Sequence, residues 1–559
     1  MLRLTEIKLP LDHQAEAIEQ AILEKLAITK DELIDFTIFK RGYDARKKNK
    51  ILLIYTLDIN TTKDEQLLAV FSEDPQVKPT PDMEYKFVGQ APQKLNKRPV
   101  VIGMGPCGLF TGLVLAQMGF NPIIVERGKE VKKRTKDTFG FWRKKILNTE
   151  SNVQFGEGGA GTFSDGKLYS QVKDPKHYSR KVLNEFVAAG APEEILYISK
   201  PHIGTFRLIM MVETMRAKII ELGGEVRFEQ KVAQIHFTDD KSVAFDEETL
   251  ADYTAKQVTG LTLANGDYIE TNHIALAIGH SARDTFKMLH NEGVYIKAKS
   301  FSVGFRIEHE QSVIDEARFG KNAGNKILGA ADYKLVHHAK NDRSVYSFCM
   351  CPGGTVVAAA SEEGRVVTNG MSQYSRKEQN ANSAIVVGIE PKDYTQGKFA
   401  AKDDSVLAGI EFQRRLEEQA FRLGGESYDA PVQLVGDFLA GRKTGDHGKV
   451  IPSYKPGVKY CDLSEALPDY AVEALREALP AFDRKIKGFS MEEATLTAVE
   501  TRTSSPIQIT RDRQTMQSLN AKGLYPAGEG AGYAGGILSA GIDGIKVAEA
   551  IALSILADN

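Results

Sequence analysis

The sequence predicts an α/β fold: a discontinuous Rossmann-type domain, a mixed α/β domain inserted into it, and a small α+β domain at the N-terminus. Three observations predict it. Residues 99–128 follow the order strand, glycine turn, helix, strand, which opens a βαβ unit. A second glycine-rich turn, at 528–536, leads into a long apolar helix near the C-terminus. The 559 residues are too many for one core, since domains commonly run to about 150 residues.

The composition is that of an ordinary globular protein and argues against several classes of protein. Hydrophobic residues make up 42% of the chain, and 72 basic against 74 acidic side chains give a formal charge of -2. Such a chain has no overall field for holding nucleic acid or an anionic membrane. Four scattered cysteines favour a reducing compartment, so we expect a cytoplasmic protein. No signal peptide and no run of about 18 apolar residues is found, which argues against a membrane partner.

Changes in pattern give the predicted boundaries. The N-terminal α+β domain covers 1–76, with strands around 2–9, 34–40 and 51–59 and a helix around 14–26, and a proline-rich linker covers 77–97. The Rossmann-type domain consists of 98–284 and 500–559, and the inserted substrate or cap domain of 285–499. The segments 225–237, 258–271 and 273–279, with a charged hairpin region before the second, are expected to complete the sheet of the first part.

The glycine turn is the first site signal. Gly103 allows a tight turn, Gly105 lets the backbone approach a pyrophosphate, and Gly108 allows close packing of helix on strand. Unpaired N–H groups and the helix dipole at the helix start favour a phosphate there, beside Pro106 and Cys107. The next strand ends at Glu126 and Arg127, where a carboxylate can accept both ribose hydroxyls. The turn therefore predicts dinucleotide binding, and an ordinary βα connection is the alternative.

The C-terminal glycine-rich segment distinguishes between dinucleotides. Residues 523–537 resemble the C-terminal FAD-binding element of the glutathione-reductase-type superfamily, in which the acidic residue is more often aspartate than glutamate. The resemblance implies that Glu529 lies near the ribityl chain of FAD. The helix start would then stabilise negative charge on the reduced ring. The strand that ends at Gly279 resembles the short apolar strand and glycine of that superfamily. We therefore predict FAD as the cofactor and no metal, with Gly528, Gly535, Gly536 and Ile537 also at the site.

Five further segments extend the resemblance over most of the chain. They resemble a bacterial family of poorly characterised FAD-dependent dehydrogenases, which implies a split FAD domain and no settled substrate. In the first segment the backbone at Gly158 and Gly159 would pass against the flavin, with Ser164 and Lys167 free to bond ring or phosphate oxygens. A flexible surface loop with a solvated Lys167 is the alternative. Val232 is also expected at the cofactor. The segments are FGEGGAGTFSDGKL (155–168), PHIGTFRL (201–208), AIGHSARDTF (277–286), CMCPGGTVV (349–357) and ETRTSSP (500–506).

The pattern identifies no catalytic residue, but four residues are candidates. A disulfide between Cys349 and Cys351 would close a small strained ring, unlike the CxxC of flavin-linked disulfide reductases, and both side chains would point to one face of a regular strand. Two buried core residues are the alternative. Arg502 is a candidate for binding an anionic substrate or stabilising reduced flavin, and His280 for donating a proton. An ion-paired arginine and a backbone-bonded histidine are the alternatives.

The leading hypothesis is an FAD-dependent oxidoreductase that transfers hydride through flavin N5 and selects an unknown small-molecule substrate with residues 285–499. Since only one dinucleotide fingerprint is present, NAD(P)H either binds transiently as an electron donor or is not the reductant. A flavin-dependent RNA-modifying or RNA-binding protein that uses the basic turn 46–50 is the alternative, and a flavin-bound regulator without turnover is a third. The near-neutral charge argues against nucleic acid, and the basic runs 46–50 and 129–134 are interpreted as solvated faces. The pattern does not predict an oligomeric state.

Overall fold

The structure is a computed structural model, and it describes residues 1–240, 250 and 253–558. Part of the predicted charged hairpin region, at 241–249, 251 and 252, lies outside the described residues.

The N-terminal residues form an antiparallel sheet with the strand order β2-β3-β1-β4. Leu2, Leu4, Leu57 and Ile59 on its inner face are buried together with Ile22 of the first helix. The predicted strands and helix are confirmed, and β4 lies in the predicted linker. The elements are β1 (Leu2–Pro10), α1 (Glu16–Leu26), β2 (Leu33–Asp44), β3 (Leu52–Thr61), α2 (Asp64–Val70) and β4 (Val77–Pro79).

The rest of the predicted linker has little regular structure but is held to the Rossmann-type domain. The Tyr85 hydroxyl donates a hydrogen bond to Glu549 Oε1 at 3.0 Å. The Ala91 N–H donates to the Met118 carbonyl at 2.8 Å. The segment therefore lies along the domain rather than hanging free between two domains.

Short strands alternate with helices between residues 100 and 276. The strands are β5 (Val100–Ile102), β6 (Ile123–Val125), β7 (Glu225–Arg227), β8 (Val232–Asp239), β9 (Lys256–Leu263), β10 (Tyr268–Glu270) and β11 (Ile274–Leu276). The helices are α3 (Pro106–Gln117), α4 (Val131–Lys144), α5 (Tyr178–Ala188) and α6 (Thr205–Glu221).

The second half of the chain is richer in strands. These are β12 (Ile296–Ala298), β13 (Phe301–Glu310), β14 (Val336–His338), β15 (Ser344–Cys351), β16 (Gly354–Ala358), β17 (Thr368–Ser372), β18 (Asn380–Ile389), β19 (Ala430–Leu434), β20 (Val458–Tyr460), β21 (Thr495–Glu500), β22 (Ile507–Ile509), β23 (Ala521–Lys522) and β24 (Leu524–Pro526). The helices are α7 (Arg283–Asn291), α8 (Gln311–Phe319), α9 (Ala408–Leu423), α10 (Val435–Ala440), α11 (Asp469–Asp483) and α12 (Ile537–Ala557).

A parallel sheet with the order β24-β11-β5-β6-β7 carries the predicted glycine turn. Its central strands are wholly apolar and buried, as expected where helices cover both faces. From β5 the chain proceeds through β6 to β7 on one side, whereas β11 and β24 lie on the other. Ligands of such sheets bind beyond the carboxyl ends of the strands, at this change of direction.

The prediction that 225–237 and 258–271 complete this sheet is wrong except for β7. Strands β8, β9 and β10 form a separate sheet with β23, largely antiparallel. The reason is visible in the side chains: β8 and β9 mix buried positions with partly or fully exposed ones, and in β10 the buried Ile269 lies between exposed Tyr268 and Glu270, as in a sheet with one open face. The strand expected at 273–279 is confirmed as β11 and does join the parallel sheet.

The inserted region is built on a mixed sheet with the order β14-β15-β18-β13-β21-β19-β20. Its neighbours are antiparallel apart from the parallel pair β19 and β20. Residues 346–364 contain the end of β15 and all of β16, and α9 covers Ala408–Leu423. Strand β21 ends at Glu500, next to the predicted return of the chain to the Rossmann-type domain.

The C-terminal helix α12 packs against α3 with polar residues bound along its length. Asp543 pairs with Arg511 at 2.5 Å, and Glu549 accepts hydrogen bonds from Tyr85 and Tyr178. Across the described residues, no helix combines the length and apolarity that a bilayer crossing needs.

Candidate functional site

A cavity of about 880 Å³ opens at the carboxyl ends of β5, β6, β11 and β24 and extends to the inserted sheet. This volume lies within the roughly 300–1,000 Å³ that small-molecule sites occupy. The lining comes from the parallel sheet and the loops that follow its strands (102–107, 125–127, 277–282, 527–529, 535–537), from the loop after α4 (154–156, 159–161, 164–167) and from the inserted domain (332–334, 347–350, Asn369, Glu500).

The glycine turn forms the floor of the cavity at the start of α3. Gly105 caps the helix and Pro106 is its first residue. Gly108 does not line the cavity: a β-carbon there would lie 2.0 Å from the Gly103 carbonyl oxygen. Gly108 therefore permits the close approach of helix and turn, while Gly105, Pro106 and Cys107 at the start of α3 line the cavity.

Glu126 ties three loops together at the end of β6. Its Oε2 accepts from the Met104 N–H at 2.8 Å, and its Oε1 accepts from the N–H groups of Gly128 and Gly156, each at 2.9 Å. The carboxylate is buried but lines the cavity. Oε1 already accepts two bonds, but Oε2 accepts only one, so Glu126 can still accept from a bound hydroxyl through Oε2.

Arg127 is committed to protein partners. Its guanidinium makes a double hydrogen bond to Asp284, both contacts at 2.9 Å, and donates to Glu150 at 2.7 Å. It also lies 4.1 Å from the centre of the Phe155 ring. A cofactor could therefore contact only the edge of the Arg127 side chain, which these partners hold in place.

The loop 151–163 packs backbone to backbone on the glycine turn. A β-carbon on Gly159 would lie 2.8 Å from the Gly105 Cα. The interpretation of this segment as a flexible surface loop is wrong, because residues 151–158 are buried. Gly158 faces Thr162 and does not line the cavity.

A fully buried arginine holds this loop, and the sequence interpretation missed it. Arg134 donates to the carbonyl oxygens of Asn152 (2.8 Å), Val153 (2.7 Å) and Glu157 (2.6 Å). Burial lowers its pKa to about 10. The basic run 129–134 is therefore not a solvated face at Arg134, although Lys132 and Lys133 are exposed.

Ser164 and Lys167 at the end of the loop both line the cavity, and both are held by contacts within the protein. The Ser164 hydroxyl donates to the Gly161 carbonyl at 2.7 Å and accepts from the Gly166 N–H, so it closes a turn. Lys167 is not solvated: its Nζ is buried 2.9 Å from Asp165 Oδ2. Asp165 is also held by Arg376.

The C-terminal glycine segment reaches the same cavity from the other side of the sheet. Gly528 and Glu529 follow β24, and Gly535 and Gly536 precede α12. Glu529 Oε1 lies 3.2 Å from His280 Nδ1, beyond the end of β11. His280 Nε2 is buried with no hydrogen-bond partner among the described residues, so it can bond to a molecule in the cavity.

Arg502 belongs to a buried charge cluster at the edge of the cavity. It makes a double hydrogen bond to Glu417 (3.0 and 2.9 Å) and donates to Ser281 and Ser361. Burial alone would raise the pKa of Glu417, but Arg283 and Arg502 hold it well below its ordinary value. Most of the Arg502 donors are thus used within the protein, which leaves little for a free anion.

Most of the predicted site residues meet at this cavity. Three of them do not line it: Gly108, Gly158 and Cys351. Those that line it are Gly103, Gly105, Pro106, Cys107, Glu126, Arg127, Gly159, Ser164, Lys167, Val232, Gly279, His280, Cys349, Arg502, Gly528, Glu529, Gly535, Gly536 and Ile537.

One wall of the cavity was not predicted, because its residues belong to no motif. Ser199 and Lys200 line the cavity, and Lys200 pairs with Asp332 of the inserted domain at 2.6 Å. The N-terminal sheet holds this wall: the Arg41 N–H donates to the Tyr197 carbonyl (2.6 Å), and the Ser199 N–H to the Arg41 carbonyl (2.9 Å). Only the contacts between domains reveal it.

Two family descriptions match parts of the chain. Residues 300–503 match "FAD-dependent protein, C-terminal domain-like", and residues 1–60 match a domain of unknown function. A protein of Clostridium beijerinckii (strain ATCC 51743 / NCIMB 8052), described as uncharacterized, is 47% identical over 551 residues, which is 98% of each chain.

Solved structures resemble the chain much more distantly. L-proline dehydrogenase from P. horikoshii is 12% identical with a TM-score of 0.32, covering 81% of this chain and 93% of its own. Thermovibrio ammonificans THI4 is 16% identical with a TM-score of 0.24, over 36% of this chain and 66% of its own. Scores this low assign neither a substrate nor a reaction to the chain.

Proposed function

We propose that the chain, which belongs to the same family as the C. beijerinckii protein, is an oxidoreductase that binds one FAD non-covalently in the cavity. The match of residues 300–503 to an FAD-dependent domain supports the proposal. One observation carries the proposal. The glycine turn after β5, the acid at the end of β6 and the glycine segment before α12 are far apart in sequence but line one cavity. Each would supply a feature that a dinucleotide needs. The glycine turn offers N–H groups at a helix start, the acid accepts hydrogen bonds from a ribose, and the glycine segment lets the backbone come close to the cofactor.

The residues present fit FAD in size and chemistry. The first turn of α3 would take the pyrophosphate and Glu126 the adenosine ribose, with the backbone at Gly159 close by. Gly535, Gly536 and the start of α12 would face the flavin, where the helix dipole favours negative charge. Bound FAD supplies the hydride acceptor, N5.

The substrate would enter from the side of the inserted domain. There the cavity is lined by side chains of mixed character, including Lys334, Ser347, Cys349 and Glu500. The cavity is bounded on this side by the inserted sheet and by the wall at Ser199 and Lys200. We propose a small molecule as substrate, and NAD(P)H, if it is the reductant, would have to reach the flavin through the same opening.

The contacts of the basic turn argue against the RNA alternative. Arg46 pairs with Asp44, and the Lys48 carbonyl accepts a hydrogen bond from the Asn322 side chain at 2.9 Å. Tyr43 stacks edge-on against Phe319 at 5.8 Å. The turn is thus partly occupied by the inserted domain instead of being free for a nucleic acid.

An anaerobic titration tests the proposal. The purified protein is reconstituted with FAD, and flavin absorbance is followed while NADH, NADPH and then 2-hydroxy acids, amino acids, alcohols and amines are added one at a time. We expect one FAD per chain and rapid bleaching by at least one compound. Protein that retains no FAD contradicts the proposal, and FAD that none of the compounds reduces indicates the regulator without turnover.

A matched variant assigns the binding to the cavity. Gly108→Val places a side chain against the Gly103 carbonyl and should abolish FAD retention. Gly140→Val changes a glycine of α4 whose β-carbon would meet nothing within 4 Å and whose φ is not positive, and it should retain FAD. Retention by Gly108→Val would place the cofactor elsewhere.

A further inference from the structure

The inserted wall is the part of the cavity lining that the inserted domain supplies (332–334, 347–350, Asn369 and Glu500). Strand β15 is irregular here: its register with β18 shifts between Phe348 and Cys351, and Cys349 has a φ of +44°. Such bulges re-aim side chains and are common beside active sites. Cys349 is partly exposed and lines the cavity, so the expectation of two buried core cysteines is wrong for Cys349, whereas Cys351 is buried.

Lys167 lies against the inserted wall, although it comes from the loop after α4. Its backbone forms an antiparallel bridge with His202, and the Leu168 N–H donates to the Pro201 carbonyl at 2.8 Å. Its ammonium group is close enough to Cys349 for an electrostatic interaction. Lys167 therefore belongs to the side of the cavity that the inserted domain closes.

The Lys167 ammonium group has more donors than the protein uses. It carries three N–H groups, and its Nζ is buried 2.9 Å from Asp165 Oδ2 without a hydrogen bond of regular geometry to any described residue. Arg376 already holds both oxygens of Asp165, with Nε 3.0 Å from Oδ1 and Nη2 2.5 Å from Oδ2. Buried donors normally have partners, so Lys167 has N–H groups left for a molecule in the cavity.

Two cations share the single carboxylate of Asp165. Burial works against the charge on Lys167, but Asp165 raises the pKa of this lysine above its ordinary value, so Lys167 is a cation. Arg376 is the second cation. Burial lowers the pKa of the neighbouring His202 to about 4, so this histidine adds no charge at neutral pH. The group therefore carries one positive charge more than Asp165 balances.

The other acids of the inserted wall have cations of their own. Asp332 pairs with Lys200 at 2.6 Å, and Glu500 pairs with Arg306 at 3.1 Å. Lys334 is exposed and adds a positive charge to the same wall. Among the described residues that line the cavity on this side, the positive charge of Lys167 is thus left for a ligand to balance.

We propose that the Lys167 ammonium group binds a carboxylate of the substrate, and that the substrate of the oxidoreductase is therefore a small organic acid. One ammonium group balances the single charge of a carboxylate, whereas a phosphate monoester carries about -1.5 to -2 at neutral pH. Phe348 and Met350 line the same wall and would contact the apolar part of the acid. This inference rests on the proposed function, which supplies FAD as the hydride acceptor.

Calorimetric titration of the FAD-loaded protein compares acids with their neutral amides. The pairs are acetate and acetamide, phenylacetate and phenylacetamide, and benzoate and benzamide, whose members differ mainly in charge. Bound FAD occupies the start of α3, where an anion could otherwise bind. We expect at least one acid to bind once per chain and at least about tenfold more tightly than its amide. Equal binding of acid and amide in all three pairs, or binding of no acid, overturns the proposal.

Lys167→Met removes the ammonium group and keeps much of the side-chain length. It should weaken binding of the preferred acid about 10- to 100-fold, because a buried hydrogen bond between charged groups is lost. Binding of the amide should not change. Arg376 still holds Asp165 in this variant, so FAD retention should match wild type. Lys167→Arg keeps the charge and should retain part of the affinity for the acid.

Lys334→Met is the matched control. It removes the same charge from an exposed position of the inserted wall, where solvent and salt screen the attraction. It should weaken binding of the acid less than about threefold. An equal loss in Lys334→Met and Lys167→Met would mean that the cavity attracts anions only through its overall charge, which overturns the assignment to Lys167.

Flavin reduction gives a second readout. The compounds of the anaerobic panel that reduce FAD should carry a carboxylate. In Lys167→Met the concentration that gives the half-maximal rate of reduction should rise about 10- to 100-fold, while the limiting rate changes little, because the lost contact is a binding contact. Reduction by neutral compounds or amines but by no acid overturns the proposal.

Two further results would overturn the proposal. The first is wild-type affinity for the acid in Lys167→Met. The second is loss of FAD from Lys167→Met, with the preference for the acid over its amide kept, which would mean that the lysine binds the cofactor. If Lys167→Met does not fold, the comparison of acid and amide in wild type and in Lys167→Arg decides. If wild type holds no FAD, the proposed function fails by itself, and titration of the FAD-free protein and Lys167→Met still shows whether Lys167 binds a carboxylate.

Discussion

Gly544 in α12 lies directly against the backbone of Cys107 in α3: a β-carbon on Gly544 would come within 2.3 Å of the Cys107 carbonyl oxygen. Helix α3 follows the glycine turn at 103–108, and α12 follows the glycine segment at 528–536. The contact therefore fixes how the starts of the two helices meet at the cavity.

Gly544→Ala should push the two helices apart. We expect a loss of about 1–3 kcal/mol in the free energy of unfolding, as for other overpacked cores, together with weaker retention of FAD. Urea denaturation and flavin absorbance after gel filtration measure the two effects. Gly140→Ala in α4 is the control, since its β-carbon would meet nothing within 4 Å. Equal behaviour of the two variants would mean that the helix contact is not tight.

Arg134→Met should loosen the loop 151–163. Its buried carbonyl partners would lose a charged donor, which costs about 3 kcal/mol or more. Limited proteolysis should then cut within the loop, and FAD retention should fall. Lys133→Met, one residue earlier and with 64% of its side chain exposed, should change neither. A loop that stays resistant in Arg134→Met would show that the arginine does not hold it.

Glu157 should make stability depend on pH. Burial raises the pKa of this carboxyl from 4.5 to about 7. A raised pKa means that the folded state favours the protonated form. This contribution is complete below pH 4.5 and is lost as the pH rises to about 7. Wild type should therefore lose about 3 kcal/mol relative to Glu157→Gln over this range, because each pKa unit corresponds to about 1.4 kcal/mol.

Urea midpoints of the two proteins at a series of pH values measure this difference. The curves should diverge between pH 4.5 and about 7 and run parallel above it. Parallel curves throughout would mean that Glu157 ionises normally in the folded protein.

The elements that could be predicted are those whose sequence pattern is complete within a few neighbouring residues. The turn at Gly103 to Gly108 lies between an apolar strand and a helix, so its place at the end of β5 followed from adjacent residues alone. Strands β8 to β10 were assigned to the wrong sheet. Neighbouring residues indicate that a segment is a strand, but its partner strands depend on which of its faces other elements cover. The polar residues within β8, β9 and β10 were the signal that could have separated them from the wholly apolar β5, β6 and β11.

Of the residues that line the cavity, those of the two glycine-rich segments were predictable, whereas the wall at Ser199 and Lys200 was not. Lys200 and Asp332 meet only through the packing of three domains, and no spacing in the sequence connects them. Arg134 looked like one more charge in a basic run, because its burial depends on a loop that ends about thirty residues later. The bulge that turns Cys349 toward the cavity is a property of the paired strands, which a regular alternation could not reveal.

The most direct test of whether the distant glycine segments bind one cofactor is amide hydrogen exchange of the flavin-free protein, measured with and without added FAD. FAD should slow exchange at the amides of 103–109, 156–161 and 528–537 together, with the amides of β13 and β18 as the unchanged reference. No binding of FAD, or slowed exchange elsewhere while these three segments stay as they were, would contradict the assignment.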